Sequence, residues 1–176
     1  MKYVALFRGI NVGNSIRISM SDLKELLEIN GLKNVSTYLN SGNALFESSM
    51  SSNELMEFIE KILSKKYRQE VSVLVKKAKE IIDIAEAIPP DWNNDESQQT
   101  YVAYLYPDVA KPSLIDQLPI KKEYMSIIYK HKCLIWNIKR TNYNKSHITR
   151  IVEHRSYARM TTRNSNTARK LAELCS

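Results

Sequence analysis

Apolar residues recur with two periods along this chain of 176 residues, and the switches between them mark out its elements. Tyr3 to Phe7 is apolar on both faces, the pattern of a strand in the middle of a sheet. Leu23, Leu26 and Leu27 repeat at helical spacing behind Ser19 and Asp22, which match a capping box with Asp in place of Glu, and Gly31 supplies the stop. Val35, Thr37 and Leu39 alternate with polar residues, Ala44 to Phe46 follows just past Ser41-Gly42, and the pair predicts a tight hairpin. Ser51 and Glu54 form a second capping box ahead of the stripe Leu55, Phe58, Ile59 and Ile62. The β-branched run Val71 to Val75 closes the series.

The order β-α-β-β-α-β predicts a ferredoxin-like half within an α/β (α+β) fold. Right-handed crossovers put the first and third strands side by side and antiparallel, so Arg8 to Asn14 and the tip Asn40-Ser41-Gly42-Asn43 are expected along one sheet edge. Beyond it, Lys77 to Ile88 reads as a helix stopped by Pro89-Pro90. Strands are predicted at Thr100–Tyr106, Tyr124–Tyr129 and Cys133–Ile138, a short helix at Pro112–Leu118, and helices at Tyr143–His154 and Asn164–Leu174. The expected organisation is residues 1–88 as the ferredoxin-like half plus a helix, 89–98 as a polar connector, and 99–176 as a related but incomplete α/β half lacking a closing strand. The alternative is one larger mixed sheet running through both halves.

Composition narrows the class. With 43% hydrophobic and 26% charged residues and only 4 Gly and 5 Pro, the chain is an ordinary folded one rather than a disordered or fibrous one. No segment is long and apolar enough to span a membrane and the start is too short for a signal core, so no membrane partner and a cytoplasmic location are expected. Cys133 and Cys175 lack CxxC spacing and His131, His147 and His154 form no ligand pattern, so neither a metal nor a cofactor is implied.

The charge is lopsided. Residues 121–176 hold 13 Lys and Arg against three Asp and Glu, whereas residues 1–120 hold 13 against 16. Clustered cations favour an anionic partner, with a merely solvated basic surface as the plain alternative.

Three stretches carry candidate chemistry. In LFRGINVGN, Gly9 and Gly13 let backbone N–H groups approach an anion, Arg8 can bind an oxyanion and Asn11 and Asn14 donate and accept; the bland reading is a long turn. Ser41, Gly42 and Asn43 add neutral donors, or simply make a hairpin turn. Arg163, Asn164 and Thr167 stand at an expected helix start, where N–H groups are unpaired and the dipole favours anions, or where Asn164 merely caps. Arg150, Arg155, Arg159, Arg163 and Arg169 with Tyr143 and Tyr157 between them look like a basic face with stacking residues. As an RNA-recognition sheet the first half fails, because SGNALFES lacks the basic-glycine-aromatic pattern. No carboxylate pair, Ser-His-Asp set or Cys-His dyad is assignable from spacing.

FRGINVGN, M-x-x-L-x-x-L-L-x-x-x-G at 20–31, V-x-T-Y-x-x-S-G-N-x-x-F at 35–46 and TTRNxxTxxKLxEL at 161–174 together resemble the bacterial family called domain of unknown function 1697. The resemblance implies ferredoxin-like halves and transfers no catalytic residue. Asn14 replaces the second glycine of an expected Val-Gly-Gly loop, and Arg17 an expected lysine. Three readings stay open. The leading one is a binding cleft for a small phosphorylated or carboxylated anion, with Arg8 and Arg163 as clamps, Asn11, Ser41 and Asn43 orienting, and Gly9, Gly13, Asn14, Gly42, Asn164 and Thr167 in the same site. The second is a nucleic-acid-binding module on residues 121–176, whose affinity falls steeply with salt. The third is an enzyme of unassigned reaction. No oligomeric state follows from any of these motifs.

Overall fold

A computed structural model describes residues 1–40 and 42–176. Two compact units make up the chain: Met1–Ile81 with Cys175–Ser176, and Ile82–Leu174.

In the first unit, β1 (Lys2–Phe7), α1 (Met20–Ile29), β2 (Lys33–Thr37), β3 (Asn43–Glu47), α2 (Ser52–Tyr67) and β4 (Val73–Lys77) follow the expected β-α-β-β-α-β order. Their sheet runs β2-β3-β1-β4 with every neighbour antiparallel, so β1 and β3 share the centre and Leu6 pairs with Asn43. Side chains of period two on one face, including Tyr3, Ala5, Phe7, Phe46 and Val73, pack against Leu23 and Leu27 of α1 and Leu55, Ile59 and Leu63 of α2. Both sequence-predicted caps form. Ser19 Oγ accepts from Asp22 N at 3.0 Å, and Ser51 and Glu54 bond each other's backbone N–H reciprocally. The strand expected through Leu39 stops at Thr37 instead: Leu39 has φ +59 and lies exposed in the turn.

The second unit repeats this topology. After α3 (Ala78–Glu86), which begins in the first unit, come β5 (Gln98–Leu105), α4 (Leu114–Gln117), β6 (Ser126–Lys130), β7 (Cys133–Lys139), β8 (Met160–Asn164) and α5 (Ser165–Cys175). The sheet order is β6-β7-β5-β8, again fully antiparallel. The α+β class therefore holds, while the incomplete second half and the single continuous sheet are corrected. A closing strand exists at β8 and the two sheets are separate. Its sequence, MTTRN, hides it, because a buried arginine and two threonines stand where an apolar run would advertise a strand.

The helix expected at Tyr143–His154 is a series of 3₁₀ turns at Arg140–Asn142, Ile148–Glu153 and Arg155–Arg159. Two local features break it. His147 takes the left-handed conformation at φ +56, and the buried Ser146 hydroxyl bonds Tyr143 O and Ile148 N in competition with a helical ladder. Ile148 and Ile151 of this segment pack on the sheet face formed by Ala103, Leu105, Leu134, Trp136 and Ile138. Among the described residues no helix is long and apolar enough to cross a membrane.

Candidate functional site

The loop after β1 and the tip between β2 and β3 meet as the topology requires. Phe7 N donates to Gly42 O at 3.0 Å, and Arg8 N donates to Ser72 O at 2.9 Å. Gly9 turns the chain at φ +68 and Ile10 drops into the core. Asn11 then closes the loop: its Oδ1 accepts from Ile18 N at 2.8 Å, while its Nδ2 donates to Ile18 O at 2.7 Å and Asn40 O at 2.9 Å. Arg17 donates to Gly13 O at 2.8 Å. Asn43 is fully buried and its Nδ2 donates to Tyr38 O at 2.7 Å. The side chains of Asn11 and Asn43 are thus occupied in shaping the turns. Asn14 is exposed, and the N–H groups of Gly9, Gly13 and Asn14 have no acceptor among the described residues. Ser41 lies outside the described residues.

Arg163, Asn164 and Thr167 belong to the second unit. Asn164 Oδ1 accepts from Thr167 N at 2.9 Å and so caps α5. Arg163 sits within β8 rather than at an open helix start and is only 7% exposed. Its Nη1 donates to Thr161 Oγ1 at 2.9 Å and Thr162 O at 2.8 Å. Burial pushes the guanidinium down to about 10, partly offset by Tyr104 and Tyr106.

A feature the sequence reading passed over lies on the other face of this sheet. A cavity of about 160 Å³ is floored by Tyr101 and Trp136, directly paired across β5 and β7 and stacked with ring centroids 6.1 Å apart at 23°. Gln99, Ile138 and Thr162 extend the floor. The 3₁₀ segment walls it with Tyr143, Ile148, Ile151, Val152 and Tyr157. Tyr143 is 37% exposed and Val152 57%, so the wall is partly open to water. The carboxamide of Gln99, the hydroxyl of Thr162 and the indole N–H of Trp136 make no hydrogen bond with the described residues. Of the lining residues, Tyr143 and Tyr157 stood out in the sequence through their basic company, and Thr162 through the TTRN stretch.

That company sorts into two groups. Arg159 is engaged with Asp108 and lies 4.2 Å above the Tyr106 ring, and Arg169 donates to Pro89 O and Trp92 O. Arg150 pairs with Glu153. Lys139, Lys145 and Arg155, by contrast, are exposed and have no carboxylate partner among the described residues. Lys145 and Arg155 lie within two residues of the groove-lining Tyr143 and Tyr157, whereas Lys139 follows Ile138 on β7, so strand alternation turns it to the other face, where it lines a separate pocket with Ser126 and Asn137. Among the described residues no group of three or more His, Cys, Asp and Glu is arranged to hold a metal ion.

A family model described as "Protein of unknown function (DUF1697)" matches residues 1–136. Among solved structures, the conserved bacterial protein SP0830 from Streptococcus pneumoniae is similar, with a TM-score of 0.84 and 24% identity over 99% of this chain and 98% of that one. At that identity the likeness shows the fold. No curated protein matches the chain.

Proposed function

The chain belongs to the DUF1697 family, whose function is not assigned, and from the chemistry of its second unit we propose that it is a binding module for single-stranded nucleic acid. One observation carries this reading. The segment that walls an aromatic groove also presents Lys145 and Arg155 to solvent without carboxylate partners among the described residues. Cations that track a phosphate backbone beside exposed rings on which bases stack are the two parts of a single-strand site. On this segment Arg150 and Arg159 are ion-paired and Arg140 donates to Asp95 O, so Lys145 and Arg155 are its cations available to a phosphate. The test is binding of a labelled short single-stranded RNA across a salt series. If two phosphates are neutralised, log affinity falls against log salt with a slope of about −1.4, at roughly 0.7 per phosphate. Charge reversal at Lys145 and Arg155 together is expected to flatten that slope and abolish binding. A salt-independent affinity, or an unchanged double variant, would sink the reading.

A second reading concerns a small anion, phosphate or carboxylate, at the loop beside Arg8. It is supported by the N–H groups of Gly9, Gly13 and Asn14, which have no acceptor among the described residues, in a loop where nothing lies within 4 Å of the position a β-carbon on Gly9 or Gly13 would take. Its test is a titration with inorganic phosphate followed by amide resonances. Saturable shifts at Gly9, Gly13 and Asn14 that vanish in Arg8→Ala support it, and shifts elsewhere or none at all remove it.

A further inference from the structure

We infer that the groove on the second unit seats one pyrimidine base of the bound strand. This rests on the single-strand reading above and adds what that strand must carry. The volume sets the size of the guest. About 160 Å³ is well below the ~300 Å³ at which pockets for larger ligands begin. It is close to the ~150 Å³ apolar cavity that accepts one benzene-sized ring. A single six-membered ring fits this space, and a fused two-ring purine has to leave part of itself outside.

The floor suits a planar guest. The ring planes of Tyr101 and Trp136 stack within 23° of parallel, with Trp136 only 4% exposed, so a planar guest packs against the half-buried Tyr101 ring and the edge of this stacked pair. The rim supplies the polar edge. The Gln99 carboxamide both donates and accepts, Thr162 does the same through its hydroxyl, and neither makes a hydrogen bond with the described residues. A pyrimidine's pairing edge presents both donors and acceptors and satisfies such groups, whereas a purely hydrocarbon guest leaves them stranded. Lys145 and Arg155, within two residues of the wall side chains Tyr143 and Tyr157, add positive charge to this segment, which favours a base joined to phosphates over a neutral aromatic side chain of another protein.

The chain has two tryptophans, so Trp92→Phe leaves Trp136 as a single reporter on the groove floor. In that background, short oligomers of uridine, of adenosine and of abasic ribose phosphate are titrated at low salt. The uridine oligomer is expected to change Trp136 emission and to bind about tenfold tighter than the other two, in line with one stacked base. Tyr143→Ala, at an exposed wall position, and Gln99→Ala are each expected to erase most of that advantage while leaving abasic binding unchanged. Equal affinity for all three oligomers with unaltered Trp136 emission overturns the seat and leaves the charge-based reading intact. Equal affinity for adenosine and uridine overturns the pyrimidine assignment. Failure of all three to bind overturns the single-strand reading and the seat with it. Displacement of the uridine signal by p-cresol at lower concentration than by uridine monophosphate assigns the groove to a protein side chain and also overturns the proposal.

Discussion

Asn11 Nδ2 lies 2.9 Å from the carbonyl oxygen of Asn40, joining the loop that leaves β1 to the turn that connects β2 and β3. The same nitrogen donates to Ile18 O at 2.7 Å, so one carboxamide determines the shape of both turns. Asn11→Asp tests this cleanly, since aspartate tolerates the residue's φ of +56 as asparagine does. The substitution keeps the acceptor for Ile18 N but turns a donor into an oxygen facing two carbonyls. Two lost hydrogen bonds and the new repulsion are expected to cost about 2 kcal/mol or more in chemical denaturation. Wild-type stability in the variant would show that the two turns are held by other contacts.

Gly42 allows those turns to approach. A β-carbon there would lie 2.6 Å from Ile10 Cδ1 and 2.9 Å from both Ile10 Cγ1 and Phe7 Cβ, and its φ of +85 disfavours any side chain. Gly42→Ala is expected to destabilise by roughly 2–4 kcal/mol, combining backbone strain with overpacking. Ile10→Val removes the nearest of these atoms, so the double variant should lose less than the sum of the two single changes. Strict additivity would mean that the backbone, and not the Ile10 contact, accounts for the cost.

These two turns were legible before any coordinates, because split βαβ topology follows from element order and brings the end of β1 to the start of β3 whatever the side chains. What the sequence concealed depended on tertiary context. Arg163 reads as a solvent-facing cation beside a helix cap, yet it lies within β8 and bonds Thr161 and Thr162. Its polarity masked the strand that completes the second sheet. Residues 143–154 show helical spacing, but left-handed His147 and the inward hydroxyl of Ser146 divide them into short turns. The groove was invisible for a related reason. Tyr101 and Trp136 are 35 positions apart and meet only through the β5–β7 register. The asparagines of the candidate anion site were conspicuous, and local hydrogen bonding occupies Asn11, Asn43 and Asn164.

Acid should weaken the second unit through a specific pair. Arg159 Nη2 lies 2.9 Å from Asp108 Oδ1, and Nε lies 3.1 Å from both carboxylate oxygens. The Arg159 hydrogen bond holds the Asp108 carboxyl below its ordinary value. A depressed aspartate adds stability above the unfolded-state value near 3.9, and that contribution disappears as the pH falls through the lower folded-state value. The side chains are 44% and 54% exposed, so the contribution at neutral pH is less than about 1 kcal/mol. Comparing wild type with Asp108→Asn by urea denaturation should show a small gap at pH 7 that closes below about pH 4. A gap that widens on acidification would contradict the assignment.

Tyr67 ends α2 with its ring against the first unit's core, and its buried hydroxyl has no hydrogen-bond partner among the described residues. Burial, and then the charge of Asp22, push its phenol above the ordinary value, as expected where a phenolate would be desolvated beside a carboxylate. A buried hydroxyl without a partner costs stability, whereas the ring that carries it supplies apolar contact. Tyr67→Phe keeps the ring and removes the oxygen, so it should raise stability by up to about 1 kcal/mol. Tyr67→Ala removes both and should lower it by about 3 kcal/mol or more. The two variants separate the contributions, because a merely surface position would be insensitive to either. Should Tyr67→Phe lose stability, the hydroxyl must be satisfied by a bound water, and the end of α2 would be held by a polar contact as well as by packing.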